Sequence, residues 1–328
     1  MPAVKRIALV LAALVALVAV VLALLARPLA PPGLDSHARP AMGYGEARRL
    51  VDSIRTGEGD AIAGGCRTLW LDHGVRTARV VVLLHGLTNC PAQCDSLARL
   101  AFATGANVLV PRLPHHGYAD RMTEALAQTK AAELCAFTDR VLDAAAGLGD
   151  TVIVAGLSTG GVMAAWAAQE RADVGRAVVI APMIGWSGAP GPRLTAMLTR
   201  AGSVLPNAFV WWDDERKQDL PGPKHVYPRF ATRAVAATMQ VGAAALAGAA
   251  RRPPACRSMV VVTVGGDEAA DNGAAAALAG RWREHGTAEV RTYEFPAALR
   301  LNHDIVDPEQ VGADPAITYP VLMEFIAP

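Results

Sequence analysis

Hydrophobic positions along this chain fall into three kinds of run. The first is apolar on every side: "IALVLAALVALVAVVLALLA", Ile7 to Ala26, uncharged and preceded by Lys5 and Arg6. At about 1.5 Å per residue, a helix of that length crosses a bilayer. The second kind is short and nearly continuous: "ARVVVLLHG", "ANVLVPRLP", "DTVIVAG", "GRAVVIAPM" and "SMVVVTVGGD". Such runs are strands buried on both faces. "RTLWLDHG" and "TAEVRTYEFP" add two more strands. The third kind lies between the strands and is helical: "DSLARLAFATG", "RMTEALAQTKAAELCAFTDRVLDAAAG", "GGVMAAWAAQE", "NGAAAALAGRWREHG" and the closing "TYPVLMEFIA". This alternation predicts an α/β fold, a mainly parallel, doubly wound sheet with helices on both faces.

The rhythm breaks after Met183. Residues 184–255 are rich in Pro and Gly, with a "VWWDDERK" cluster and one Ala-rich helix, "ATRAVAATMQVGAAALAGAA". We read them as an inserted cap. The expected division is then an anchor or signal over 1–29, a tether and approach segment over 30–65, a core over 66–183 and 256–328, and a cap over 184–255.

The first run is longer than the ~7–15 apolar residues of a signal peptide and lacks a clean Ala-x-Ala cleavage site. Arg27 and "PLAPPG" stop it. This favours an uncleaved single-pass anchor, with secretion after signal cleavage as the alternative. Lys5 and Arg6 place the N-terminus on the cytoplasmic side. The rest then lies outside, on the periplasmic side if the cell is bacterial.

Composition narrows the picture. Of 328 residues, 52% are hydrophobic, so a sizeable core forms and wholesale disorder is excluded. A net charge of +1 offers no concentrated basic face, so nothing points to nucleic acid. The five cysteines are Cys66, Cys90, Cys94, Cys135 and Cys256. Outside the cytoplasm some could pair, and the odd count leaves at least one free within a monomer. The spacing of Cys90 and Cys94 is not a zinc signature.

Candidate chemistry centres on "GLSTGG", Gly156 to Gly161, between the strand "TVIVA" and the helix "VMAAWAA". A nucleophile on a sharp strand-to-helix turn needs small neighbours two before and two after it. Ser158 has Gly156 and Gly160 there. A serine hydroxyl needs a base, and the base needs an orienting acid. His303 in "LRLNHDIVDP" follows the last strand. Asp267 in "VGGDEAADN" comes first after its strand, with Asp271 in reserve. Oxyanion donors are expected from the backbone N–H of Thr159, after the nucleophile, and of Leu87, in the loop "HGLTNCPAQ". Thr88, Asn89, Trp211 and Trp212 are candidate substrate contacts. Asn89 and Gln93 could touch polar atoms of a substrate, or equally cap the helix that starts near Gln93. His85 reads as a brace for the oxyanion loop, and His115-His116 as a loop packed near the site mouth.

The order Ser158, Asp267, His303, with "HGLT", "GLSTGG", "VGGD" and "NHD" among their strands, resembles the α/β-hydrolase superfamily from about Thr68 to Ala327. Within it the chain looks most like serine esterases, monoacylglycerol-lipase-like enzymes and the serine aminopeptidase group. The resemblance implies hydrolysis of an ester, thioester or amide through an acyl-enzyme, with no metal or organic cofactor. A carboxylic ester, a small molecule or lipid, is the expected substrate. A non-catalytic scaffold that binds a ligand or partner is the rival reading.

Overall fold

Strands form where the β-branched runs lie, and their order sets where the site can be. A computed structural model describes residues 2–27, 29, 31, 33–189, 191–220 and 222–327. Pro28, Ala30 and Pro32, part of the expected stop to the first helix, lie outside the described residues. The helices are α1 Pro2–Leu25, α2 Tyr44–Thr56, α3 Asp95–Ala103, α4 Ala131–Leu148, α5 Thr159–Glu170, α6 Pro192–Val204, α7 Thr232–Arg251, α8 Asn272–Glu284 and α9 Pro315–Ile326. The strands are β1 Leu69–Leu71, β2 Thr77–Leu84, β3 Asn107–Val110, β4 Gly149–Leu157, β5 Val174–Ile180, β6 Phe209–Trp211, β7 Arg229–Ala231, β8 Ser258–Val264 and β9 Glu289–Phe295.

Seven strands make one sheet in the order β1-β3-β2-β4-β5-β8-β9. Only the β1–β3 pairing in it is antiparallel. Successive side chains of a strand point to opposite faces, and here both faces are buried. Val80, Val82 and Leu84 of β2 pack into the cluster that holds residues of α2, α4, α5, α7 and α8. Val81 and Leu83 pack into the other, with α3 and α9. The expected doubly wound sheet is therefore present.

Two segments sit differently from the sequence-based division. Of the tether and approach segment expected over 30–65, residues 34–65 are folded onto the domain. Leu34, Ala41, Ala47, Val51 and Ile54 are buried in the larger cluster. The Trp166 indole N–H donates to the Leu34 carbonyl at 2.6 Å. The backbone N–H groups of His37 and Arg39 donate to Asp139 and Asp143, which also hold the buried Arg171. Charge-assisted hydrogen bonds of this kind dock the segment firmly.

The expected cap also divides. Helix α7 packs against α5, α4 and α8 and supplies the crossover from β5 to β8. It belongs to the helical layer, because its Ala- and Gly-rich face lets it approach α5 closely. The excursion over the sheet edge is the shorter stretch from Ile184 to Ala231, with α6 and the antiparallel β6–β7 hairpin.

Val4–Leu25 is long and apolar enough to cross a membrane, and its apolar window is unburied. Its end touches α6, where the Arg200 guanidinium donates to the carbonyls of Leu25 and Arg27.

Candidate active site

Parallel strands β4, β8 and β9 all deliver their C-terminal ends to one edge of the sheet, where Ser158, Asp267 and His303 stand. Ser158 follows β4 directly and begins the turn into α5 at φ 58°, ψ −111°. A non-glycine residue pays steric strain in that region. The turn is tight enough to dictate its neighbours. A Cβ on Gly156 would lie 2.2 Å from the Gly160 carbonyl oxygen, one on Gly160 2.0 Å from that of Leu84, and one on Gly161 2.6 Å from that of Ile180. Each is far inside van der Waals contact, so the three glycines are required by backbone approach.

Asp267 lies just beyond β8. Its Oδ2 is 2.7 Å from Nδ1 of His303, and its Oδ1 accepts from the N–H groups of Ala269 and Ala270 at 2.8 and 3.0 Å. Its side chain is fully buried. Burial by itself would raise the carboxyl. The hydrogen bond and charge of His303, with the Ala270 and Ala269 amides, outweigh it and hold the group below its ordinary value. Nε2 of His303 is buried and has no hydrogen-bond partner among the described residues. Asp271 lies away from this pair. It caps α8 through the N–H groups of Gly273 and Ala274 and accepts from Gly191 N–H of the excursion.

The loop after β2 supplies the other side. A Cβ on Gly86 would come within 3.8 Å of the Ser158 Cβ, so this loop runs beside the serine. The backbone N–H groups of Leu87 and Thr159 donate no hydrogen bond among the described residues. As the first residue of α5, Thr159 has no intrahelical acceptor. His85 braces the loop from beneath. Its Nδ1–H donates to Gly86 O at 2.9 Å and its Nε2 accepts from Leu113 N–H at 3.1 Å. Burial, with the nearby His116, holds its pKa well below the usual imidazole value, so the ring is neutral. His116 is likewise buried, pushed down to about 4, and bonded to the Pro114 carbonyl. His115 bonds Glu133 at 2.9 Å.

The sequence profile of the alpha/beta hydrolase family matches residues 81–312. The chain belongs to the alpha/beta hydrolase family. Solved structures share its architecture. One, described with the metagenome-derived lipolytic enzymes LipS and LipT, has a TM-score of 0.59 at 19% identity, over 81% of this chain and 98% of its own. A monoacylglycerol lipase from Paleococcus ferrophilus has a TM-score of 0.57 at 17% identity, over 79% and 97%. A soluble variant of Saccharomyces cerevisiae monoglyceride lipase, in complex with a substrate analogue, has a TM-score of 0.56 at 14% identity, over 80% and 90%. At these identities the likeness is one of fold. No curated protein matches the sequence significantly.

In this alpha/beta hydrolase Thr88, Asn89 and Trp212 gather around the Leu87 loop. Thr88 is buried, and its Oγ1 accepts from the Trp212 indole N–H at 3.0 Å. Its carbonyl accepts from Tyr227 N–H at 2.8 Å. Trp212 rests on Phe230 with ring centroids 4.6 Å apart, and Trp211 pairs with Arg229 across the hairpin. Asn89 has its side chain engaged within the protein. Its Oδ1 accepts from Cys90 N–H, and its Nδ2 donates to Asp304 and Asp307 at 3.3 and 3.4 Å. Cys90 is disulfide-bonded to Cys66, which staples the far end of the loop to the start of the expected core, just after the approach segment. Cys94, Cys135 and Cys256 are free and buried.

Sequence reasoning passed over Gln93 as a loop-holding residue, and passed over Asp304, Asp307, His225 and Tyr227 altogether. Asp304 and Asp307, three apart directly after His303, were the available signal.

Proposed function

We propose that this protein is a serine hydrolase that cleaves a carboxylic ester through an acyl-enzyme intermediate. The observation that carries the reading is the 2.7 Å bond between Asp267 and His303 Nδ1, which leaves a buried Nε2 without a partner among the described residues, at the sheet edge where Ser158 sits in a strained turn. In this reading Nε2 takes the Ser158 proton as Oγ attacks the acyl carbonyl. A Ser–His contact is often long before substrate binds and tightens in the complex. Asp267 keeps the proton on Nδ1 and stabilises the imidazolium. The N–H groups of Leu87 and Thr159 receive the oxyanion. His303 returns its proton to the leaving alcohol, and water then deacylates the enzyme through the same base. This chemistry uses only side chains and backbone of the chain.

An ester is favoured because an alkoxide leaves more readily than an amine. The lipolytic enzymes and monoacylglycerol lipases that share the fold support a lipid ester. In the same reading α1 anchors the protein in a membrane, with the hydrolase domain outside the cytoplasm and the Cys66–Cys90 bond formed there. A fluorophosphonate probe tests the nucleophile: wild type is labelled and Ser158→Ala is not. A panel of p-nitrophenyl esters against aminoacyl anilides tests the bond. Absent labelling, or turnover of anilides alone, overturns the reading.

A further inference from the structure

The buried polar side chains between the Leu87 loop and the His303 loop form one chain of hydrogen bonds. Gly86 N–H donates to Gln93 Oε1 at 2.8 Å, and Gln93 Nε2 donates to Asp304 Oδ2 at 2.6 Å. The other oxygen of Asp304 accepts from Val306 and Asp307 N–H at 3.1 and 3.0 Å. Asn89 Nδ2 bridges Asp304 Oδ2, the oxygen that Gln93 also reaches, to Asp307. Asp307 in turn lies 2.8 Å from His225 Nε2 of the excursion over the site. Gln93 is 2% exposed and Asp304 9%. These groups are out of water's reach, so each bond is obligatory.

We infer that Gln93 and Asp304 are positioning residues that hold the oxyanion loop in register with His303. The inference rests on the serine-hydrolase reading above. The Leu87 N–H follows Gly86 in the chain. Asp304 follows His303. The Gln93 amide therefore joins, through two hydrogen bonds, the residue before a proposed oxyanion donor to the residue after the proposed base. The two loops come from opposite ends of the domain, 211 residues apart in the bridging bond. A donor must be placed within a few tenths of an ångström of the developing oxyanion to be effective. The His225–Asp307 contact ties the excursion to the same network, so the two loops and the excursion share one set of bonds.

The direction of the bonds makes this testable by a reciprocal swap. Gln93 accepts at one end and donates at the other. Asp304→Asn places an amide against the Gln93 amide, because Val306 and Asp307 N–H demand an oxygen on the far side. Gln93→Glu keeps the acceptor for Gly86 but sets a carboxylate against Asp304. In the double variant the new carboxylate accepts from Gly86 N–H and the new amide donates to it, which restores the bridge between positions 93 and 304, while Asn89 Nδ2 gives up position 304 and keeps its bond to Asp307. On an ester that wild type turns over, each single variant should lose ~10-fold or more in kcat with KM within about twofold, since a displaced oxyanion donor acts on the transition state. The double variant should recover to within about fivefold of wild type. Hydrogen exchange of the peptide spanning residues 84–93 supplies a readout independent of turnover. It should quicken in each single variant and return toward wild type in the double.

Unchanged kcat and exchange in the single variants would overturn the inference, as would a double variant no better than the worse single one. If a single variant does not fold, the double variant decides: folded and active supports the relay, unfolded or inactive overturns it. A wild type that fluorophosphonate does not label sinks the hydrolase reading instead, and the exchange data still judge the loop bridge.

Discussion

His303 Nδ1 meets Asp267 Oδ2 at 2.7 Å, while the other Asp267 oxygen is claimed by two backbone N–H groups. That asymmetry predicts the effect of Asp267→Asn. Ala269 and Ala270 require an oxygen on their side, so the new NH2 must turn toward His303. The imidazole then carries its proton on Nε2, where the base is needed. We expect kcat to fall by about 10⁴ with the fold intact. Steady-state kinetics check this, and a loss under tenfold would contradict the assignment.

The same carboxyl makes a signed contribution to stability. Its folded pKa lies below the ordinary carboxylate value, so the stabilisation is present above the unfolded value of about 3.9 and is lost as pH falls through the folded one. Urea midpoints measured from pH 6 down to pH 2 should show a shallower acid limb for Asp267→Asn than for wild type. Parallel limbs would argue against it.

Ser158 carries a positive φ of 58° that glycine adopts without steric cost. Ser158→Gly should therefore abolish fluorophosphonate labelling and raise stability by about 1 kcal/mol. Ser158→Ala should abolish labelling without that gain. Thermal or urea unfolding of the two variants separates strain from chemistry.

Two glycines give opposite expectations. A Cβ at Gly160 would meet the Leu84 carbonyl oxygen at 2.0 Å, whereas one at Gly280, within α8, meets nothing within 4 Å. Gly160→Ala should cost about 3 kcal/mol or more and distort the serine turn. Gly280→Ala should stabilise by roughly 0.5–1 kcal/mol through helix propensity. Denaturant melts of both variants decide the matter.

The docked N-terminal segment sets where the chain can be shortened. A chain beginning at Leu34 keeps the contacts to Trp166, Asp139 and Asp143 and should fold in water without detergent. One beginning at Tyr44 leaves the Trp166 N–H and the carboxylates around Arg171 short of partners. It should lose at least ~3 kcal/mol, since each buried group left unsatisfied costs about 1–3 kcal/mol. Equal melting temperatures for the two would show that residues 34–43 do not stabilise the domain.

Much of the fold was legible because it rests on local periodicity. A strand stretch buried on both faces must be apolar, and residues 80–84 of β2, 152–157 of β4, 177–180 of β5 and 259–262 of β8 are. The helix α7 was equally legible as a helix, but not its place in the layer beside α5. Its Ala-rich face fits a cap and a core crossover alike, and only packing against α4, α5 and α8 distinguishes them. Residues 30–65 read as a tether because the docking of their first described part depends on partners more than a hundred residues away, at Asp139 and Asp143.

By itself the sequence determined the parallel sheet, the apolar first helix, and the strand-to-helix turn at Ser158 with glycines where backbone must approach. It also narrowed the candidates for an orienting acid to a few carboxylates after one strand. Only the tertiary structure turned Asp267 toward His303 and Asp271 toward α8, paired Cys66 with Cys90, and set Gln93 between Gly86 and Asp304. The reason is physical. Strand and helix patterns are written in neighbouring residues, whereas these contacts join loops at the ends of separate strands, and the order of strands across the sheet decides which loops meet.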